Sequence, residues 1–320
     1  MTKRRLSAAV LSLLVFAAKG PAAEPPRNPA QSKERFNAIA ANLDTGGDLL
    51  VVANVEGYLQ GLIGDISQLV AMAPATTAGP AAAKAFMSKL PNFLQRNGFY
   101  AMQGFGLSAV PRGDGLNTVK WFVNRDPAAA DLPLWRAVYG TATPTSLAGA
   151  DFIPADAVLA RTGNGQLKDL WKLVRTGVAE LASPEGNANF NRRLSNMATN
   201  MGMDLDKVFE SLGGEGFLSI QLSQTATVDI PSPTGGAATK IPQPSLLIGL
   251  AVKDDTLLNA IEAPLKRVNM PVMKNQMEAT VVSSVNIPAP LPFPFQPSFA
   301  SCSNFFLFGT TPQAVADAIK

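Results

Sequence analysis

The sequence predicts an α+β fold, with antiparallel or mixed sheets that carry helices packed on one face. Short apolar runs typical of strands alternate along the chain with amphipathic segments of helical spacing. The order strand, helix, helix, strand, strand, helix occurs twice, which indicates a duplicated unit. Further strand and helix patterns predict a partial third unit. The alternative is that any α+β chain produces such an order by chance.

The stretch from Pro244 to Val268 is the clearest example of the pattern. Leu246 to Val252 is a nearly continuous run of Leu, Ile and Val, as expected of a strand covered on both faces. Lys253 to Asp255 interrupts this run, and Thr256 or the preceding Asp can cap a helix. The apolar residues of that helix share one face and are Leu257, Leu258, Ile261 and Leu265.

These patterns divide the chain into five segments. A chain of 320 residues is long enough to bury a substantial core in one large or two modest domains. The segments are a signal peptide (1–23), a spacer with a short helix (24–45), a first α+β unit (46–145), a second α+β unit (146–278) and a partial third unit (279–320).

Each unit is justified by the periodicity of its apolar residues. In the first unit we predict strands at 49–53, 99–110 and 118–123, and helices at 57–71, around 86–94 and at 131–139. In the second we predict strands at 157–160, 217–222 and 246–252, and helices at 166–182, 190–212 and 256–265. In the third we predict strands at 279–287 and 304–309, then a helix opened by Thr311 and Pro312.

Two long connections stand out between the predicted strands. Gln224 to Gln243 is rich in Pro, Gly, Ser and Thr and predicts a protruding loop. Ile287 to Pro297 alternates proline with apolar residues, which predicts an extended, polyproline-like segment. If its apolar side chains are exposed, they offer a contact for a partner or for lipid; the alternative is that the segment covers a sheet edge. The candidate contact residues are Leu291, Phe293 and Phe295.

The N-terminus has the layout of a secretory signal peptide. Lys3 to Arg5 is basic, Leu6 to Ala18 is apolar, and small residues follow up to a cleavage site near Ala22 or Ala23. We therefore expect export to the periplasm, the cell envelope or the medium. The alternative is an uncleaved membrane anchor.

Composition limits the classes of partner. Charged residues are 16% of the chain and the net charge is +3, part of which comes from the basic N-terminus. The remaining sequence carries no basic run, so we predict no nucleic acid partner. The only cysteine is Cys302, so the chain has no internal disulfide. Cys302 could be a nucleophile or an intermolecular bridge, but a small residue at the start of a strand is the simpler interpretation.

The chain contains no histidine, and this limits its chemistry most. Ser-His-Asp and Cys-His catalysis and His-ligated metals are excluded. Paired carboxylates could still act as in glycosidases. The paired acids, however, fall at predicted turns and helix starts, where capping explains them: Asp44 with Asp48, Asp204 with Asp206, and Asp254 with Asp255.

Two further patterns have a chemical and a structural interpretation. Arg161 to Gly165 predicts a glycine-rich turn whose backbone N–H groups could hold a phosphate, although tight-turn geometry explains the glycines better. Methionines cluster at 197–203 and 270–277 and could bind Cu(I), but flexible core filling is their ordinary role. We predict no catalytic residue, cofactor or metal.

The segments Gly309 to Val315 and Leu205 to Gly213, together with the strand and helix units, resemble an uncharacterised family of long exported bacterial envelope proteins. That family is described only as a domain of unknown function, and the resemblance covers residues 46–319. Its members are longer, so the resemblance implies a shortened chain. It implies no catalytic residues, because the family has none assigned.

The sequence favours an exported, non-enzymatic envelope protein with a binding or scaffolding role and an unidentified partner. An exported hydrolase that uses carboxylates is the alternative from another class. A third hypothesis is a protein that contacts a partner or a membrane through the segment 287–297. Acids converging on a pocket favour the enzyme, whereas an apolar groove or an open sheet edge favours binding.

Overall fold

The computed structural model describes residues 29–73, 78–113, 116–140, 147–230, 238–287 and 295–320. The predicted signal peptide therefore lies outside the described residues. The chain forms two compact units, the first of residues up to 95 with 99–127, and the second of 96–98 with 128–320. The sequence placed a boundary at 145 instead. The helix before that point belongs to the second unit because Ala137 O accepts a hydrogen bond from Gln166 N at 2.7 Å.

The first unit is a three-stranded antiparallel sheet with helices. Strands β1, β2 and β3 pair in that order. The helices and strands are α1 (Pro29–Ala40), β1 (Leu49–Asn54), α2 (Tyr58–Met72), α3 (Ala78–Arg96), β2 (Met102–Pro111) and β3 (Asn117–Arg125).

Two glycines of β2 let helix α1 approach the sheet closely. An added Cβ at Gly104 would lie 2.6 Å from Ile39 Cδ1, and one at Gly106 would lie 2.6 Å from Ile39 Cγ2. Ile39 is completely buried at this contact. Helix α2 differs, since none of its residues is buried and an apolar stripe on it faces solvent. The stripe consists of Tyr58, Leu62, Ile66, Leu69 and Met72.

The second unit contains a seven-stranded antiparallel sheet in the order β4-β5-β6-β10-β9-β8-β7. Its strands are β4 (Ala157–Asn164), β5 (Leu212–Ile230), β6 (Thr239–Val252), β7 (Val272–Met277), β8 (Thr280–Val285), β9 (Ser298–Cys302) and β10 (Phe305–Gly309). Its α-helices are α4 (Pro133–Tyr139), α5 (Leu167–Leu181), α6 (Pro184–Asn196), α7 (Leu205–Ser211), α8 (Thr256–Arg267) and α9 (Pro312–Ile319). Both sheets and the helices make this an α+β fold, as predicted.

Helices cover both faces of the seven-stranded sheet, although the sequence predicted one face. Strand β10 shows why, because its successive residues are apolar and point alternately to the two sides. Phe305 and Leu307 join a core that includes Val315 of α9. Phe306 joins the opposite core, against which Leu258 and Ile261 of α8 pack.

The centre of this sheet contains a glycine for a steric reason. The ring of Phe217 on β5 lies across Gly249 on β6, and an added Cβ at Gly249 would be 1.9 Å from its Cε1. Phe217 stacks on Phe152 with 6.0 Å between the ring centroids. The aromatic side chain therefore takes the volume that a side chain on the neighbouring strand would need.

Several predicted boundaries differ from the structure. Gln224 to Gln243 is not simply a loop, because β5 and β6 continue as a paired arm from Thr227↔Pro242 to Ile230↔Thr239. The predicted helix 190–212 is divided, since α6 ends at Asn196 and a π-helical turn precedes Gly202 at φ 71°. Strands β7 and β9 were not predicted.

The segment predicted as a third unit contributes to the same sheet as the second. Phe305 to Gly309 of β10 pairs with Leu247 to Ala251 of β6, and β9 and β8 follow on its other side. The β1-β2-β3 and β4-β5-β6 groups each show a strand, intervening helices and two further strands. Common ancestry of these groups stays a prediction.

Candidate functional site

Strand β4 forms one edge of the seven-stranded sheet. It pairs with β5 on one side and is the terminal strand of the order β4-β5-β6-β10-β9-β8-β7. A register shift occurs between Ala157 and Leu159, and the pairing is then regular from Leu159 to Asn164. From Leu159 to Gly163 the strand thus offers a regular stretch of backbone whose outer N–H and C=O groups are outside the ladder.

The side chains of this edge are poorly covered, apolar from Val158 to Ala160 and then mostly polar up to Asn164. Val158 is 45% exposed and Leu159 is 48% exposed. The single charged residue in the strand is Arg161, which is also exposed. Natural edge strands are commonly protected by several charges, by proline or by a covering segment. The regular part of β4 has one charge and no proline, so it is a weakly protected edge.

A cleft of about 310 Å3 adjoins the C-terminal end of β4. Gly163 of β4 pairs with Gly216 of β5, so two adjacent strands lack side chains at this position. Leu167, Leu218 and Leu250 supply apolar walls. The volume is at the lower end of ligand pockets, which span roughly 300–1,000 Å3. It suits one side chain or a small molecule.

A glycine in the left-handed region shapes the end of the cleft. Gly214 has φ 97°, a conformation that favours glycine. Its carbonyl accepts a hydrogen bond from Gly165 N at 2.6 Å. An added Cβ at Gly214 would lie 2.9 Å from Gln166 Nε2. These contacts hold the start of α5 against the strand pair beside the cleft.

The predicted glycine turn at Arg161 to Gly165 is therefore incorrect in detail. Strand β4 continues to Asn164, and Gly163 does not have positive φ. A Cβ at Gly163 would meet no atom within 4 Å, so this glycine leaves open space. The N–H of Gly165, which a phosphate would need, already donates to Gly214 O.

The charges at the cleft have different roles. Arg161 makes no ion pair or side-chain hydrogen bond with any described residue. Glu215 is the only carboxylate in the described lining, and its Oε1 accepts a hydrogen bond from Gly149 N at 2.6 Å. An unpaired cation at a rim, with a carboxylate already bonded, favours binding of an acidic group over carboxylate catalysis.

The capping predicted for the acid pairs is confirmed at Asp204 only, since Asp255 precedes its helix without a side-chain cap hydrogen bond and other acids bind distant residues. Asp44 binds Lys120 at 2.6 Å. Asp204 Oδ1 caps α7 by accepting from Lys207 N at 3.3 Å. Asp206 accepts from Trp171 Nε1 at 2.6 Å. Hydrogen bonds from Thr256 lower the pKa of Asp254. Among these residues no two acids converge on a cavity.

A second cleft lies between α5 and α7. Trp171 stacks on Phe209 at 4.9 Å between centroids, and the cleft measures about 300 Å3. Its rim carries Lys168 and Lys172 but also Asp206 and Glu210. The mixed charges and the bonded Trp171 make it a weaker candidate than the cleft at β4.

The candidate contacts in the Pro/Phe segment are only partly described. Leu291 and Phe293 lie outside the described residues. Phe295 is half-buried just before β9. Cys302 lies at the end of β9, half-buried, rather than at the start of a strand.

The described ranges hold no cluster of three or more acidic or cysteine side chains placed to bind a metal ion. Within them, every helix is too short or too polar to cross a bilayer. No family model, curated protein or solved structure matches the chain.

Proposed function

We propose that the protein is an exported, non-enzymatic binding protein that takes up an extended peptide segment as an added strand on β4. The observation that carries this proposal is the weakly protected edge Leu159 to Gly163 with an apolar cleft beside it. In strand addition, backbone hydrogen bonds supply affinity and pockets for alternate side chains supply specificity. Both requirements are met at this edge.

The competing function, hydrolysis by carboxylates, has less support. The chain lacks histidine, and the one carboxylate in the described lining of the cleft at β4 is bonded to a backbone N–H. In the second cleft, Asp206 accepts a hydrogen bond from Trp171. Inverting and retaining glycosidases both need two carboxyl groups that flank the substrate. A peptide-binding edge needs none.

The proposal of export rests on the basic and apolar pattern of residues 3–18 and on the resemblance to exported envelope proteins.

The binding role is tested by selecting peptides from a displayed random library against the purified protein, followed by hydrogen exchange of the complex. We expect selected peptides to slow exchange of the outward-facing amides of β4 and to leave β7, at the other edge, unchanged. The absence of specific binders, or protection that bypasses β4, would contradict the proposal.

Export is tested separately in the native cell by fractionation and N-terminal sequencing. We expect the protein in the envelope or the medium, with a new N-terminus next to Ala22 or Ala23. Recovery from the cytoplasm with an intact N-terminus would contradict export and leave the binding role to be judged on the peptide experiment.

A further inference from the structure

We infer that the peptide recognised at β4 carries an acidic residue with one apolar residue two positions before it and another two positions after it. The order is apolar, any, acidic, any, apolar. This inference rests on the proposed function, because it concerns the ligand of the same edge. It follows from which side chains of β4 share one face of the sheet.

Alternate residues of β4 lie on one face. Leu159 pairs with Ile220, Arg161 with Leu218, and Gly163 with Gly216. Side chains of an added strand alternate between the faces with the same period of two residues. Ligand residues opposite Leu159, Arg161 and Gly163 therefore lie on the face that contains the cleft. This spacing holds whether the added strand is parallel or antiparallel to β4.

The ligand residue opposite Gly163 is expected to be apolar. Neither Gly163 nor its partner on β5 has a side chain, and the space above Gly163 is empty to 4 Å. Leu218 and Leu250 line this space. Burial of a Leu-sized side chain there removes apolar surface of both molecules from water, which favours binding.

The ligand residue opposite Arg161 is expected to be acidic. The Arg161 side chain is exposed and has no bonded partner among the described residues. Cross-strand neighbours on one face lie about 5 Å apart at Cβ, within reach of a charge-assisted hydrogen bond from guanidinium to carboxylate. The next ligand residue on this face lies opposite Leu159. Because Leu159 is 48% exposed, an apolar ligand residue there makes a second apolar contact and completes the pattern.

Three synthetic peptides of nine residues test the inference. They share flanking residues and differ at the centre of the core, which is Leu-Thr-Glu-Thr-Leu, Leu-Thr-Gln-Thr-Leu or Leu-Thr-Lys-Thr-Leu. Isothermal titration gives their Kd values at low ionic strength. Because exposed ion pairs contribute modestly, we expect the Glu peptide to bind about threefold to fivefold more tightly than the Gln peptide. The Lys peptide should bind most weakly.

Two variants identify the residues responsible. Arg161→Glu should reverse the preference, so that the Lys peptide binds more tightly than the Glu peptide. Gly163→Val should fill the cleft and weaken all three peptides by a similar factor, while keeping the preference for Glu. Circular dichroism and thermal unfolding check that both variants fold, which the open surroundings of these side chains favour.

The possible results separate the inference from the proposed function. Equal affinity of the three peptides for the wild-type protein, with β4 protected in hydrogen exchange, would overturn the charge pattern and leave strand addition supported. Binding that Arg161→Glu does not re-order would also overturn it. Failure of every peptide, selected or synthetic, to protect β4 would overturn both.

Discussion

The two edges of the seven-stranded sheet differ in how they are protected. At one edge, β7 carries Lys274, Asn275 and Gln276, which are all exposed and polar. At the other edge, β4 carries exposed Val158 and Leu159, followed by exposed Arg161 and Asn164. Charged and polar edges resist pairing with further strands, whereas apolar regular edges invite it. Each edge strand has one charged residue and no proline, so the two differ mainly in the polar run of β7; we call β7 the closed edge and β4, where the proposed ligand adds, the available edge.

The closed edge is also fastened to a helix. Glu262 of α8 has a side chain that is only 10% exposed, and it binds Lys266 at 2.8 Å and Lys274 of β7 at 2.9 Å. Ser283 of β8 donates to the same carboxylate at 3.3 Å. The bond from Lys266, with Lys274 adding to it, lowers the pKa of Glu262 against the effect of burial. One carboxylate therefore joins α8, β7 and β8.

Among the variants that test the difference between the two edges, Glu262→Ala is expected to lower the free energy of unfolding most. Loss of the carboxylate removes three bonds and leaves the Ser283 hydroxyl buried without that acceptor, so the free energy of unfolding should fall by about 2 kcal/mol. Urea denaturation measures it. Glu180→Ala is the matched control, because Glu180 pairs with Arg96 at an exposed position and should cost less than about 1 kcal/mol. Equal losses in both variants would show that Glu262 does not fasten the edge.

A smaller effect is expected when each edge receives a lysine. Leu159→Lys adds a charge to the available edge and should weaken selected peptides about tenfold, since charge opposes strand pairing there. Met273→Lys is the control at the other edge, where the side chain is 46% exposed, and should leave peptide affinity unchanged. Competition binding measures both. If Met273→Lys weakened binding as much, the two edges would not differ in function.

The ion pairs of Glu262 also predict a pH dependence. Because its pKa is lowered in the folded protein, the carboxylate stabilises the fold fully above the unfolded value of about 4.3. This contribution is lost as the pH falls through the lowered folded pKa. The difference in unfolding free energy between wild type and Glu262→Gln should therefore be constant from about pH 6 to 8 and shrink in acid. A difference that grew in acid would contradict the sign.

The smallest effect is expected for Gly163→Ala at the available edge. The added methyl group enters open space and the backbone needs no positive φ, so unfolding free energy should change by less than about 0.5 kcal/mol. Gly249→Ala at the sheet centre is the contrast, because its methyl group would overlap the Phe217 ring and should cost about 1–3 kcal/mol. Thermal unfolding compares them. A cost at Gly163 as large as at Gly249 would mean that the cleft is not empty.

The strongly periodic elements were predictable because their own residues determine them. The predicted helix 57–71 corresponds to Tyr58–Met72, and the run 246–252 lies in β6. Strands β7 and β9 escaped prediction because VMKNQM is polar and SFASC is small, so pairing rather than propensity makes them strands. The end of β4 was misjudged because Gly163 and Gly165 are typical of turns.

The candidate site could not be read from the sequence for a different reason. Whether a strand lies at an edge depends on its neighbours in space. Here β4 and β7 are the two edges because β10 lies between β6 and β9, which the order of the strands along the chain does not show. The cleft depends on Gly163 and Gly216, which are 53 positions apart and meet only through strand register. The sequence shows a charged residue at Arg161. Its exposure and its lack of a bonded partner depend on residues that are distant along the chain.

The position of β10 has a consequence for the time at which the second unit can fold. Strands β7, β8 and β9 are synthesised before β10, yet β10 lies between β6 and β9. Until residues 305–309 have left the ribosome, β6 has no second neighbour and the β9 side of the sheet has nothing to join. The nascent chain therefore keeps one side of β6 and one side of β9 without a partner strand until β10 emerges, and such unpaired apolar edges are what chaperones recognise.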